Sequence, residues 1–258
     1  MTNREKYILS IYEELSDMGK HENVKLVKNT VNDGIYIKKT LKNYNIEIYK
    51  ILKNRQIKGI PKVYEIIEDE KELIIIEEYI HGLTLDKKYN KTDVETVKKI
   101  MEQLCNILKQ LHNMNPPIIH RDIKPTNIIV SNDDVVYLVD FNISREYDEN
   151  QSVDTVIMGT QGYASPEQCG FAQTDCRSDI YSIGMLMKNI LMVDEYPDKE
   201  TKSLKRIIDK CTSIDPEKRY KNIEKLEQAL NNKLGERISF QCNETDEKNK
   251  TVIFATWI

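Results

Sequence analysis

The segment His120-Arg121-Asp122-Ile123-Lys124-Pro125-Thr126-Asn127 brings a carboxylate, an ammonium group and a carboxamide into one short stretch. An apolar run, Val135–Val139, then delivers a second acid in Asp140-Phe141-Asn142. A polar turn or an ordinary strand end would account for either segment alone. In succession they gather groups that can position a charged substrate and neutralise its charge. Two more polar segments follow: Gly159-Thr160-Gln161-Gly162-Tyr163-Ala164-Ser165-Pro166-Glu167, and Asp179-Ile180-Tyr181-Ser182-Ile183-Gly184. His21, His81 and His112 read as surface or turn residues.

Local periodicity shows what must hold these segments. Up to about Glu78 the apolar residues come in short, partly alternating runs. Val24–Val27, Ile35–Lys39, Val63–Ile67 and Leu73–Ile76 read as strands, with one helix over Asn45–Lys53 between them. From Thr92 the period changes. Val94, Val97, Ile100, Met101, Leu104, Ile107, Leu108 and Leu111 form the apolar stripe of a long helix, with Thr92 and Glu95 as its expected capping box. Helices are also expected over Ser178–Met192, Ser203–Cys211 and Asn222–Leu230, and a hinge near Tyr79–Gly82. Strands first and helices after predict an α+β chain of two lobes.

Composition narrows the function classes. The chain has 258 residues, 40% hydrophobic and 31% charged, which suits a globular protein. Its net charge of −4 argues against nucleic acid as the main partner. No apolar run approaches the length of a membrane span, and no leader peptide is evident. Five widely spread cysteines without a C-x-x-C pair argue against a zinc site or a disulfide framework, and the expected location is cytoplasmic.

On its polar segments the chain resembles the eukaryotic-type serine/threonine protein kinases. His120–Asn127 matches their catalytic loop H-R-D-x-x-x-x-N, and Asp140–Asn142 is similar to D-F-G with asparagine for glycine. Residues 159–167 resemble G-T-x-x-Y-x-A-P-E, and residues 179–184 resemble D-x-W-S-x-G. The resemblance implies the two-lobed kinase fold, with a small lobe over about 1–80, a large lobe over about 81–235 and a C-terminal extension over about 236–258. It implies transfer of the γ-phosphoryl group of ATP, with Mg²⁺, to serine and threonine hydroxyls of protein substrates. Asp122 would accept the hydroxyl's proton, Lys124 would contact the transferred phosphate, and Asn127 and Asp140 would hold Mg²⁺. Thr160 would contact Asp122 and Lys124, and D-x-K followed by this threonine goes with serine/threonine substrates. Asp179 would hold the catalytic loop's backbone, and Arg219 would pair with Glu167.

The small lobe departs further from the family pattern. In the frame Asp17–Val24 only Gly19 and Val24 match the glycine loop G-x-G-x-x-G-x-V. Strand alternation favours Lys39 over Lys38 as the nucleotide-facing lysine, since Lys38 would bring Tyr36 beside the adenine. Its expected partner is Glu47, on the helix. The backbone of Glu78 and Ile80 would recognise adenine. Glu77 would guard the back of the pocket, or turn outward if the strand pairing bulges. An activation-loop phosphate on Thr155 or Ser152 is expected to reach Arg121, with Asp148, Glu149 or Asp154 as a built-in alternative. The degenerate glycine loop leaves a second function class open, a binding or scaffold module of the pseudokinase kind. A small-molecule phosphotransferase is the third, against which residues 159–167 and 179–184 argue.

Overall fold

A computed structural model describes residues 1–18, 23–69, 72–89, 93–148, 159–170, 173–191 and 199–231. A short helix, α1 (Asn3–Ser10), opens the chain under a capping box of Thr2 and Glu5. The small lobe is one antiparallel sheet of β1 (Tyr12–Asp17), β2 (Val24–Asn29), β3 (Ile35–Leu41), β4 (Val63–Asp69) and β5 (Glu72–Glu78), in the order β1-β2-β3-β5-β4. Alternation sets its faces: Ile37, Lys39 and Leu41 are the buried residues of β3. On the opposite face Tyr36 packs edge-on against Tyr12 and Tyr64. β1 escapes sequence reading because its edge position leaves Tyr-Glu-Glu-Leu-Ser-Asp almost wholly exposed, without an apolar alternation.

Helix α2 (Ile46–Arg55) packs against this sheet through Ile48, Tyr49 and Leu52, with Asn45 as its N-cap. After the hinge come β6 (Gly82–Thr84), a turn of helix α3 (Leu85–Lys88) and the long α4 (Val94–His112). All eight residues of the expected α4 stripe are buried. Thr92, the expected cap, lies outside the described residues, and the N-cap is Asp93, whose side chain accepts the Thr96 N–H at 2.9 Å. A shorter carboxylate next to the first turn meets the same orphan donors.

Two small antiparallel ladders arrange the polar segments. β7 (Ile118–Ile119) pairs with β10 (Arg145–Glu146), and β8 (Ile128–Ser131) pairs with β9 (Val136–Leu138). The loop from 120 to 127 leaves β7 and the loop from 139 to 144 leaves β9, so the ladders set the two side by side. Below them lie α5 (Cys176–Ile190), α6 (Lys199–Cys211) and a helical run over 223–231. The expected C-terminal extension, 236–258, lies outside the described residues. Among the described residues no helix is long and apolar enough to cross a membrane.

Gly184 in α5 permits a close approach to the end of α6. A Cβ there would stand 2.5 Å from the Cys211 Cβ and 2.8 Å from the Thr212 Cγ2. Gly184→Val should therefore destabilise the fold by about 1–3 kcal/mol through overpacking. Thermal denaturation checks this, and a melting temperature at or above wild type would contradict the tight α5–α6 contact.

Candidate active site

The catalytic-loop segment is held from below by one buried carboxylate. Asp179, in the first turn of α5, is fully buried. Its Oδ2 accepts the His120 backbone N–H and its Oδ1 accepts the Arg121 backbone N–H, both at 2.9 Å. His112, at the end of α4, places Nε2 2.9 Å from Oδ2. Arg121 has left-handed backbone, φ 68°, which in a bulky residue costs roughly 1–3 kcal/mol and persists only under constraint. The constraint is double, because the Gln168 Nε2 also donates to the Arg121 carbonyl at 2.8 Å.

Burial opposes charge on His112, yet Asp179 beside it, with Cys176 adding to the effect, lifts its pKa to about 10. Burial would likewise raise Asp179, but its hydrogen bond to His112 and the donors around it hold it below the usual carboxylate range. His112 is thus a buried structural residue, where its sequence position suggested the surface. Its place at the end of the apolar stripe, beside Leu108 and Leu111, was the available signal. His120 is kept neutral by burial. Its Nε2 faces the Val139 carbonyl at 3.2 Å and its Nδ1 accepts the Asp122 N–H at 3.3 Å.

The next residues close a hydrogen-bonded ring. The Lys124 Nζ donates to the Asp122 Oδ2 and to the Thr160 Oγ1, each at 2.7 Å. The Thr160 hydroxyl donates to the Asp122 Oδ1 at 2.7 Å. The Asn127 Nδ2 donates to the Asp122 Oδ2 at 2.8 Å and to its backbone carbonyl at 3.0 Å. The structure therefore brings Asp122, Lys124, Asn127 and Thr160 together from segments nearly forty residues apart. Asp122 keeps 11% and Lys124 21% of side-chain exposure, so both reach the surface of the site.

The ring adjoins a cleft of about 500 Å³ between the sheet and the large lobe. Val24, Lys39, Glu78, Ile80, Asn127 and Asp140 all line it. Gly19 lies outside the described residues, as do Ser152, Asp154, Thr155 and Glu149. Asp140 also has left-handed backbone, φ 68°, and its buried Oδ1 has no hydrogen-bond partner. A buried carboxylate oxygen without a partner calls for a cation or a donor. Lys38 turns away and binds Glu14 at 2.8 Å, so the lysine in the cleft is Lys39.

One expected pairing is corrected. Lys39 does not meet Glu47, which stands exposed in the first turn of α2 and pairs with Lys50 at 2.8 Å. Its partner is Glu77 on β5, at 2.6 Å, and both side chains are at least nine-tenths buried. The register explains this. Ile37 on β3 lies opposite Glu77 on β5, so Lys39, two residues along, shares its face. The β4–β5 ladder bulges on β4, between Val63 and Glu65, and β3–β5 pairs in unbroken register, so Glu77 points inward. From α2 the cleft region instead receives Tyr49, whose hydroxyl donates to the Asn142 Oδ1 at 2.7 Å.

The expected clamp behind the site is present. Arg219 donates twice to Glu167, at 2.6 and 2.8 Å, and Ser178 adds a bond at 2.8 Å. Removing either partner of so buried a pair costs about 3–5 kcal/mol, because it leaves a charge unmatched.

The His112–Asp179 pair makes stability pH-dependent. A raised histidine pKa contributes stability below its ordinary value, 6.5, that is lost as pH rises through about 10. Wild type should lose more melting temperature than His112→Gln between about pH 7 and about pH 10. Equal slopes in parallel melting curves would show that the imidazolium is not the source.

Residues 16–242 match the protein kinase domain family. A probable serine/threonine-protein kinase of Clostridium acetobutylicum is 30% identical over 200 residues, which cover 67% of this chain and 30% of that protein. Serine/threonine-protein kinase D of Synechocystis is 30% identical over 195 residues, 66% of this chain and 38% of that protein. Serine/threonine-protein kinase PknB of Mycobacterium tuberculosis is 36% identical over 121 residues, 45% of this chain and 19% of that protein. The chain thus spans well under half the length of these relatives. With the two-lobed fold and the clamped loop, the match over most of its length settles the family: this chain belongs to the eukaryotic-type protein kinases.

Proposed function

We propose that the chain transfers the γ-phosphoryl group of ATP, with Mg²⁺, to serine and threonine hydroxyls of protein substrates. The ring of Asp122, Lys124, Asn127 and Thr160 at the mouth of the cleft carries this reading. The Asp122 Oδ1 already accepts a bond from one aliphatic hydroxyl, that of Thr160, and so is suited to take the proton of a substrate hydroxyl. Lys124, hydrogen-bonded to both, would offset charge on the phosphoryl group in transit. Its pairing with Thr160 supports serine and threonine as acceptors.

Asp140 and Asn127 are the residues that would hold the metal. The unpartnered Asp140 Oδ1 fits that role, and among the described residues no three carboxylates, histidines or cysteines gather into a cation cage. Such a donor set suits Mg²⁺, which usually takes one or two protein ligands and leaves the rest to phosphates and water. When bound, Mg²⁺ would screen the phosphate charge. Lys39 would orient the phosphates, and the Glu78 carbonyl and Ile80 N–H would meet the adenine edge. The Glu78 N–H is already engaged by the Lys62 carbonyl at 2.8 Å, which leaves recognition at that residue to its carbonyl. Val24, which lines the cleft, would cover the nucleotide. We read the place of work as the cytoplasm, from cysteine usage.

The test is a labelled-ATP assay with Mg²⁺ on wild type, Asp122→Ala and Asp140→Asn. Asp122→Ala should bind Mg-ATP normally and lose transfer by about 10²–10⁴-fold, the usual worth of a general base. Asp140→Asn should lose both Mg-ATP affinity and rate. Wild type that binds Mg-ATP without labelling any serine or threonine would favour the binding-module reading instead.

A further inference from the structure

We propose that Glu77, a sheet residue, is the carboxylate that positions Lys39 for the nucleotide phosphates, and that no acid of helix α2 has this task. The proposal rests on the phosphoryl-transfer reading above and names a further positioning residue for it.

Geometry on both sides of the cleft carries it. Lys39 and Glu77 meet at 2.6 Å with 9% and 10% of their side chains exposed. Glu47 is the only acid in α2, and it is 59% exposed and engaged by Lys50. The face that α2 buries is Ile48, Tyr49 and Leu52, which offers the lysine no charge. Burial by itself would lower the Lys39 pKa, whereas the Glu77 and Asp140 charges raise it and keep the ammonium charged.

The consequence is mechanical. β3 and β5 are hydrogen-bonded neighbours, so a pair built across them keeps its geometry wherever α2 sits. A pair between strand and helix would break whenever the helix moved. Here α2 reaches the loop from 139 to 144 through the hydrogen bond between Tyr49 and Asn142, both neutral. The lysine's position is therefore a property of the sheet, and helix movement acts on the Asp140–Asn142 turn.

The experiment compares wild type, Glu77→Gln, Glu77→Asp and Glu47→Gln in two measurements, with melting temperature as a check of folding. The first is steady-state transfer from Mg-ATP. Glu77→Gln should lose roughly 10²-fold in kcat/KM for ATP, the scale of a misplaced positioning group. Glu77→Asp should recover part of this, and Glu47→Gln, an exposed change, should stay within about twofold of wild type. The second is acylation of Lys39 by acetic anhydride across a pH series, read by peptide mass spectrometry. Loss of the Glu77 charge should move the onset of labelling to lower pH, whereas Glu47→Gln should leave it in place. Equal activity losses in Glu77→Gln and Glu47→Gln, or a labelling curve unmoved by Glu77→Gln, would overturn the proposal. If wild type transfers no phosphate, the function reading fails, and the labelling curves alone decide the pairing.

Discussion

The carboxylate of Asp179 is the constraint on which the site depends. A charge buried this deeply is costly unless it is paired and hydrogen-bonded. Here the His112 ring and the His120 and Arg121 N–H groups supply three donors. Those two N–H groups belong to the loop that must present Asp122. The carboxylate therefore cannot be satisfied unless the loop takes its turn at Arg121, and the turn is held by the carboxylate together with the Gln168 amide. Helix α5 delivers the acid, α4 delivers the histidine, and the apolar packing of both fixes the distance between them. Local strain and global packing are thus two sides of one interaction.

From that anchor the remaining groups fall into place by separate routes. The ladders β7–β10 and β8–β9 bring the Asp140 loop against the catalytic loop, where Phe141 packs edge-on to the His120 ring at 4.7 Å. Thr160 arrives from the segment that the Glu167–Arg219 clamp secures. Lys39 comes from the sheet, held within the sheet by Glu77. The large lobe so determines the ring around Asp122, and the small lobe determines where Lys39 enters the cleft.

Much of this was legible in the sequence, for identifiable reasons. Asp122, Lys124, Asn127, Thr160 and Asp140 lie in segments that resemble protein-kinase motifs, and that resemblance singled them out. The α4 stripe and the choice of Lys39 over Lys38 follow from periodicities of 3.6 and 2. The Glu77 pairing was not legible, because it depends on the register between β3 and β5 and on which strand carries the bulge. His112 and Gln168 escaped for a related reason: a polar side chain reads as exposed until the buried group that needs it is located. Tyr49 sat in a recognisable helical stripe, but nothing in the stripe tells that its hydroxyl meets Asn142. β1 was hidden by its exposed edge.

The most direct test of this account is the transfer rate of Asp179→Asn, measured with Mg-ATP affinity and far-ultraviolet circular dichroism on the same preparation. Asparagine keeps the shape but offers one acceptor oxygen where the carboxylate offers two. The account predicts a folded protein that binds Mg-ATP close to normally and transfers phosphate roughly 10²-fold more slowly, because Asp122 is no longer held in place. A folded Asp179→Asn variant that transfers phosphate at the wild-type rate would contradict it.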